Sequence, residues 1–214
     1  MILAIEAAIR GGSVALIRDD RDMASWHGTE VVSRAEDLLA NIADLLAQNH
    51  IDKRSLDMIA VSNGPGSYTG IRIGIATALG LAKALNIECI GVPLLEAMAK
   101  KQRRRPNCIV AVPIGRNELC WQTFRGAGDF IDPPSTGSVH DFTRHSIEFA
   151  DMDILLQRDA YKAVAGTAEF SRLAARTFDC GRDLATAIGL ASRDNSSDMN
   201  PNYVRNSQFS SNPL

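Results

Sequence analysis

Apolar residues along the first hundred positions follow two spacings, which predict alternating strands and helices. Near the amino terminus, short apolar runs flank Gly11 and Gly12, and this pattern is typical of a β-hairpin. The predicted strands of this half are residues 2–5, 13–18, 21–27, 58–61 and 88–92. The predicted helices, where apolar residues recur three and four positions apart, are residues 33–49, 71–85 and 94–101. This alternation predicts an α/β layered domain with a mixed sheet.

The first predicted helix has recognisable signals at both ends. Ser33 and Glu36 form a capping box, in which the serine accepts from the backbone three residues on and the glutamate reaches back to the cap. Asn49 is a suitable end. The helix is therefore expected over residues 33–49, with more apolar residues than one narrow stripe requires.

The second half begins with a layout that resembles the start of the chain. The segments ILAIEAAIRGGSVALI and IVAVPIGRNELCWQTF each hold an apolar strand, a turn with glycine and a second strand. Their offset is about half of the 214 residues, which indicates a degenerate internal duplication. The later pattern is weaker. It predicts strands over 152–156 and 162–165, helices over 168–178 and 181–190, and a partly disordered tail from residue 193.

A basic run from Lys100 to Arg105, followed by Pro106, interrupts the pattern between the halves. We place a domain boundary there, which divides the chain into an amino-terminal subdomain, 1–105, and a carboxy-terminal subdomain, 106–214. Two interpretations of the run stay open. It is either a solvated helix end with a linker or a contact for RNA phosphates.

Composition narrows the class of protein. Hydrophobic residues make up 45% and charged residues 22%, and the net charge is −2 with a pI of about 6.1. This balance does not indicate attraction of the whole protein to nucleic acid. No apolar run has the length of a membrane span, and the start lacks a basic leader. The four cysteines contain no C-x-x-C pair, so reduced thiols in a cytoplasmic protein are expected.

Five glycines fall within the stretch SNGPGSYTGIRIG, residues 62–74, which joins a predicted strand to a predicted helix. Gly64, Gly66, Ser67 and Thr69 lie where the amide groups of a helix start could cradle a phosphate. The spacing departs from the Walker, Rossmann and nucleophile-elbow motifs. Phosphate contact and a purely structural turn therefore both stay open.

The helix after this turn has one side almost without side chains. Gly70, Gly74, Ala78 and Ala82 recur every four residues, and such a ridge lets two helices approach closely. The neighbour is either the helix over 33–49 or a helix of a partner chain. The predicted partner surface combines this ridge with apolar residues of the first helix, namely Leu38, Ile42 and Leu45. A bulky residue at Ala78 is expected to weaken association and to leave the chain folded.

The same residues resemble the bacterial TsaB (YeaZ) family. The resemblance rests on the whole stretch 62–74, on Ala82-Lys83-Ala84 and on Gly91-Val92. The hairpin at 2–17, the Glu36-x-Leu38-Leu39 segment and the closing segment 201–205 also match, and the similarity is strongest over 1–99. It implies the fold of actin, heat-shock ATPases and sugar kinases, with two related α/β subdomains around a cleft and a divergent second subdomain.

The resemblance also implies a role in tRNA modification. Members of the family are non-catalytic partners of TsaD, the enzyme that installs a threonylcarbamoyl group on the adenosine next to the anticodon. TsaE, an ATPase, joins them. The expected partners are therefore a TsaD-like transferase and a TsaE-like ATPase, with tRNA reached only through the complex. Alone, the chain is expected to form a homodimer, without a cofactor, a metal or a membrane contact, and in the cytoplasm.

Departures from the catalytic relatives agree with a non-enzymatic role. Those relatives read V-N-H-x-x-x-H, with two metal-binding histidines, where this chain has Leu94 and Met98. The fold's usual Asp-[Thr/Gly]-[Ser/Thr] opening is Glu6-Ala7-Ala8 here. We therefore expect a vestigial phosphate loop comprising Glu6, Gly64, Gly66, Ser67 and Thr69. The alternatives are a residual nucleotide-binding enzyme of the kinase or ATPase fold and a metal-dependent glycopeptidase-like protein.

Overall fold

The computed structural model describes residues 1–28, 37–102, 104–126, 129–193 and 199–201, and it contains two β-sheets. The first sheet has the strand order β3-β2-β1-β4-β5. Its strands are β1 (Ile2–Glu6), β2 (Ser13–Arg18), β3 (Arg21–His27), β4 (Met58–Ser62) and β5 (Glu88–Val92). The helices of this half are α1 (Leu38–Gln48), α2 (Tyr68–Leu85) and α3 (Leu94–Lys101).

The second sheet has the order β8-β7-β6-β10-β11, and β9 also pairs with β7. Its strands are β6 (Cys108–Pro113), β7 (Glu118–Arg125), β8 (Asp129–Phe130), β9 (Ser135–Ser138), β10 (Asp153–Leu156) and β11 (Thr177–Asp179). The helices are α4 (Val139–Glu148), α5 (Arg158–Ala165), α6 (Phe170–Leu173) and α7 (Ala185–Ala191).

The two sheets repeat one arrangement. In each, an antiparallel hairpin comes first, β1–β2 or β6–β7, and two strands then extend the sheet in parallel from the first hairpin strand. Parallel neighbours need a crossover: α2 connects β4 to β5 in the first half, and α5 and α6 lie in the connection from β10 to β11 in the second. The predicted mixed sheets are thus confirmed, whereas common ancestry of the two halves stays a prediction.

The hydrophobic core runs through both halves. Helix α7, from the end of the described chain, packs on β1 and β2 of the first sheet and on α3. Its Gly189 lies so close to Ile17 and Ala4 that an added Cβ would be 2.5 Å from Ile17 Cγ1. Ser13 Oγ also accepts from the backbone amide of Ala185 at 2.9 Å. Because these contacts join the halves, the division at residue 105 into two subdomains stays a prediction.

Most first-half elements are found where the sequence predicts them. Helix α2 begins at Tyr68, three residues before the predicted start, because Ser67 supplies its N-cap. Helix α1 covers Leu38–Gln48 within the predicted 33–49. The capping box at Ser33 and Glu36 lies outside the described residues, as does most of the tail after residue 193, including 202–205.

Two predictions for the second half are wrong, and one helix was missed. Residues 162–165 belong to helix α5, not to a strand, because Ala160 and Val164 face the core one helical turn apart. Only Phe170–Leu173 of the predicted helix 168–178 is α-helical, and Thr177–Asp179 forms β11, which pairs with β10. Helix α4, which a capping box of Ser138 and Asp141 begins, was not predicted.

In the part of the chain that the structure describes, none of the helices combines the length and the apolar character that crossing a membrane requires.

Candidate functional site

The glycine-rich turn between β4 and α2 is bonded to its surroundings at its first glycine. Gly64 has φ +110°, a conformation that favours glycine, and the peptide bond from Gly64 to Pro65 is cis. The carbonyl of Gly64 accepts from the amide of Leu94 at 2.8 Å, and its amide donates to Ser62 Oγ at 3.3 Å. The start of the turn is therefore attached to the start of α3.

The later glycines of the turn pack against the backbone of the β1–β2 connection. Ser67 donates its amide hydrogen to the carbonyl of Ala8 at 2.7 Å. A Cβ on Gly66 would lie 2.6 Å from the same carbonyl oxygen, and a Cβ on Gly70 would overlap the carbonyl oxygen of Ala7. This close approach of two backbones accounts for both glycines without a ligand.

Glu6 is a buried acid at the end of β1, with 1% of its surface exposed. Its Oε1 accepts from the amides of Ala8 at 2.6 Å and Ile9 at 2.9 Å. Burial raises the pKa of Glu6 to about 7, and the two backbone hydrogen bonds oppose that rise. A carboxyl group that is partly protonated near neutral pH and bonded to its own turn is a poor ligand for a divalent cation.

Two cavities lie beside this turn. One, of about 290 Å³, is lined by residues that include Glu6, Ser67 and Thr69. The other, of about 460 Å³, lies between the β1–β2 connection and the β6–β7 connection. Both are lined by Arg10 and Ser67, so they form one cleft between the two hairpins. Of the five residues predicted as a phosphate loop, Gly64 and Gly66 are absent from both linings.

The predicted partner-interface residues require a correction, because all seven are buried within the single chain. On α1, the side chains of Leu38, Ile42 and Leu45 are 4 to 5% exposed. The ridge of α2 faces the first sheet and the residue 7–8 turn, and it is formed by Gly70, Gly74, Ala78 and Ala82. With the ridge in the core, a bulky residue at Ala78 is expected to unfold the chain, not merely to weaken association.

Other apolar side chains of the same helices are exposed. Leu39 of α1 is 56% exposed, and Leu79 and Tyr68 of α2 are 46% and 56% exposed. The predicted set of interface residues did not include them. Leu39 could have been found, because it lies one position outside the stripe that Leu38 and Ile42 form at helical spacing.

Two residues that the resemblance matches to metal-binding histidines, Leu94 and Met98, lie in the core here. Leu94 is 0% exposed and Met98 is 2% exposed, and both pack in the cluster beneath α3. The described ranges contain no group of three or more His, Cys, Asp or Glu side chains that could hold a metal ion. His145 packs against Trp121 and Phe149, and burial lowers its pKa.

The cysteines are free, and burial raises the pKa of each, for Cys108 to about 12. High thiol pKa values make these side chains weak nucleophiles and weak metal ligands. Their positions therefore agree with the predicted role as reduced core residues.

The basic run is partly paired within the chain. Lys100 forms an ion pair with Glu96 at 2.7 Å. Arg105 forms one with Asp153 at 2.8 Å, and its guanidinium lies 3.4 Å from the ring centre of Phe178. These partners reduce the charge that the run offers to RNA, and contact with RNA stays a prediction.

Comparison with known proteins identifies the family that the chain matches. The model of the family described as TsaD: tRNA N6-adenosine threonylcarbamoyltransferase matches residues 30–189. The Escherichia coli protein named tRNA threonylcarbamoyladenosine biosynthesis protein TsaB is 32% identical over 129 residues, which cover 58% of this chain and 54% of that protein. The chain spans about half the length of the curated relatives it matches.

Solved structures show the fold. A crystal structure of an uncharacterized Pseudomonas aeruginosa protein with similarity to the peptidase YeaZ superposes with a TM-score of 0.66 at 21% identity, covering 95% of this chain and 99% of that one. A putative N-acetylglucosamine kinase from Porphyromonas gingivalis superposes with a TM-score of 0.54 at 9% identity, covering 91% and 99%. The predicted fold class, that of actin-like ATPases and sugar kinases, is confirmed.

Proposed function

The chain belongs to the TsaD family, and we propose that it takes part in tRNA threonylcarbamoyladenosine biosynthesis as a non-catalytic subunit that supports a TsaD-like transferase. Its partners are then that transferase and a TsaE-like ATPase, and tRNA is reached only through the complex. The name of the E. coli relative supports this pathway.

The observation that carries the non-catalytic role is the burial of Leu94 and Met98. These residues occupy the positions of metal-binding histidines in the catalytic relatives, and their exposed fractions are 0% and 2%. Neither side chain offers a ligand for a hard or borderline metal ion.

The partner surface in this proposal is the exposed side of α1 and α2. Leu39 and Leu79 are exposed apolar side chains on these two helices, and Leu39 lines an apolar groove of about 500 Å³ together with Leu81 and Leu85 of α2. The groove's rim includes Lys53 and Arg54. Apolar anchors that become buried in the centre of an interface supply most of its binding energy. The same surface serves a second copy of the chain when the transferase is absent.

The alternatives are less well supported. A residual kinase or ATPase needs an acid that manages a cation, and Glu6 Oε1 is instead bonded to the amides of Ala8 and Ile9. A glycopeptidase-like enzyme needs metal ligands at the positions of Leu94 and Met98. Neither alternative is favoured by the relatives that the chain matches.

The test is association with the TsaD-like protein of the same cell. Tagged wild-type chain should retain that transferase and should raise its threonylcarbamoyl transfer to tRNA. Leu39→Asp with Leu79→Asp should weaken association at least tenfold, about 1.4 kcal/mol, because a carboxylate would be desolvated in the interface.

A matched control is Met23→Asp, which changes another exposed apolar side chain, 45% exposed, on the edge strand β3. It should leave association unchanged. Failure of the wild-type chain to retain the transferase would contradict the proposed role. Normal association of the double variant would place the partner surface elsewhere.

A further inference from the structure

The smaller of the two cavities has one acidic and one basic side chain in its lining. This cavity, of about 290 Å³, lies between the β1–β2 connection and the first turns of α1 and α2. Of the described residues that line it, only Glu6 and Arg10 carry a charge. The two form no ion pair with each other, so more than 4.0 Å separates their charged atoms. Opposite charges held apart at one cavity suit a ligand that itself has a positive and a negative end.

Glu6 has one carboxylate oxygen without a partner. Its Oε1 accepts from the amides of Ala8 and Ile9. Within the part of the chain that the structure describes, Oε2 makes no hydrogen bond, and it is not among the fully enclosed polar atoms. Because Glu6 is 1% exposed and lines the cavity, Oε2 is available to a molecule inside it. A ligand that donates to this oxygen would offset the cost of burying the carboxylate.

Apolar and neutral polar side chains form the remaining walls of the cavity. Trp26 of β3 and Leu38 of α1 offer apolar surface, and Asn41 and Thr69 offer an amide and a hydroxyl. Sites for small molecules combine apolar walls with a few polar groups, and those for drug-sized ligands have volumes of about 300–1,000 Å³. A cavity of about 290 Å³ therefore fits a molecule smaller than these.

We infer that this cavity binds a small free amino acid with an apolar side chain, whose ammonium group donates to Glu6 Oε2 and whose carboxylate accepts from Arg10. Hydrogen bonds in which donor and acceptor are charged are shorter and stronger than neutral ones, and a guanidinium matches the planar geometry of a carboxylate. The apolar side chain of the ligand would lie against Trp26 and Leu38. This inference goes beyond the proposed function, because it assigns a ligand to the isolated chain and its test does not involve the transferase.

Binding should be measured by isothermal titration calorimetry with the isolated chain and three probes. These are L-valine, N-acetyl-L-valine, which lacks the ammonium group, and L-valinamide, which lacks the carboxylate. L-valine should bind, and each analogue should bind at least tenfold more weakly, as expected when one charge-assisted contact is lost. Glu6→Gln and Arg10→Gln should each weaken L-valine binding at least tenfold. The advantage of L-valine over N-acetyl-L-valine should disappear in Glu6→Gln, and its advantage over L-valinamide should disappear in Arg10→Gln.

The matched control is Arg116→Gln. Arg116 is an exposed arginine of the β6–β7 connection that lines the neighbouring cavity of about 460 Å³ but not this one. Its substitution should leave L-valine binding unchanged. Each variant should give the far-ultraviolet circular dichroism spectrum of the wild-type chain, so that a loss of binding reports on the cavity.

Proton release provides a second readout for Glu6. Burial raises the pKa of Glu6 to about 7, and a bound ammonium group favours the ionised carboxylate, so binding below pH 7 should release a proton. The affinity for L-valine should therefore rise between about pH 6 and about pH 8 in the wild-type chain and stay constant in Glu6→Gln. The inference is overturned if L-valine does not bind, if wild type and Glu6→Gln bind it equally, or if Arg116→Gln weakens binding as much as Arg10→Gln does.

Discussion

Equivalent strand-to-helix junctions in the two halves are built differently. In the first half, β4 reaches α2 through residues 63–67, with two glycines at positive φ. In the second half, β10 reaches α5 through Gln157 alone, whose side chain accepts from the amides of Asp159 and Ala160 at 2.7 and 3.3 Å. The same sheet arrangement therefore accommodates two kinds of strand-to-helix junction: one formed by glycines in close backbone contact, and one in which a side chain caps the helix.

The hairpins that face these junctions also differ. Glu6 ends β1 and Pro113 ends β6, and each pairs in the last register of its hairpin. The connection after Glu6 packs closely against Gly66 and Gly70, whereas the three heavy atoms nearest to a Cβ added at Gly115, in the connection after Pro113, belong to the side chain of Glu118, at 3.2 Å or more. Close backbone packing thus distinguishes the first hairpin connection from the second, and substitutions should reveal this asymmetry.

The largest expected effect is at Gly70. Gly70→Ala would drive a methyl group into the carbonyl oxygen of Ala7, and backbone cannot yield as a side-chain tip can. We expect a loss of more than about 3 kcal/mol in the free energy of unfolding, measured in urea. Gly80→Ala on the same helix is the control. Nothing lies within 4 Å of its added Cβ, so a gain of up to about 1 kcal/mol is expected. Equal stabilities of the two variants would contradict this account of the junction.

A second difference between the hairpins should appear in pH dependence. The pKa of Glu6 is raised from 4.5 to about 7, so the folded state binds this proton more tightly than the unfolded state. The resulting stabilisation is present below pH 4.5 and is lost as the pH rises to about 7. Relative to Glu6→Gln, the wild-type chain should therefore lose about 3 kcal/mol over this range.

This comparison requires unfolding curves of both proteins at several pH values. The glutamine variant is a suitable reference, because its amide oxygen can accept the same backbone hydrogen bonds that Glu6 Oε1 accepts. Parallel stability profiles for the two proteins would show that Glu6 does not titrate between pH 4.5 and 7.

A smaller effect should test whether α7 joins the halves. Gly189→Ala would place a methyl group 2.5 Å from Ile17 Cγ1 and 3.0 Å from Ala4 Cβ. Overpacking of this kind costs about 1–3 kcal/mol, partly offset by the better helix propensity of alanine. The control is Gly166→Ala, at the end of α5, where the added methyl group meets nothing closer than 3.5 Å. Thermal unfolding of both variants should show a lower melting temperature for Gly189→Ala and almost no change for Gly166→Ala. If the two variants unfold at the same temperature, α7 does not pack on the first sheet as described.

The smallest effect concerns the helix caps. Ser138 forms a capping box with Asp141, and its Oγ accepts from the amide of Asp141 at 3.1 Å. The corresponding hydrogen bond at the start of α2, from the amide of Gly70 to Ser67 Oγ, is longer, at 3.4 Å. Ser138→Ala should cost about 1 kcal/mol and Ser67→Ala less, as measured by urea unfolding. The reverse order would contradict the ranking of these two caps.

Much of the first half could be predicted from the chain itself. Apolar runs, helical spacing and glycine punctuation identify most of its elements, because β1, β2 and β4 are buried along nearly their whole length and α1 and α2 each bury one face. The second half offers shorter elements with weaker signals. Helix α5 has eight residues, and its cap, Gln157, is not a residue that usually begins a helix.

Some residues of the candidate site could also be predicted from the sequence, and others could not. The glycine-rich turn singled out Ser67 and Thr69, the family resemblance added Glu6, and the structure brings these three to one cavity. Arg10 and Arg116 could not be associated by sequence, because they are more than 100 residues apart and meet only through the pairing of two halves.

What the sequence determined by itself was the existence of an apolar face on α1 and of a bare ridge on α2, since both follow from side-chain spacing along a helix. Which face meets the chain's own sheet is a property of the assembled layers. The tertiary structure placed Gly74 and Ala78 against the first sheet and left Leu39 and Leu79 exposed. The physical reason is the close approach of α2 to the β1–β2 connection, which only residues without bulky side chains permit.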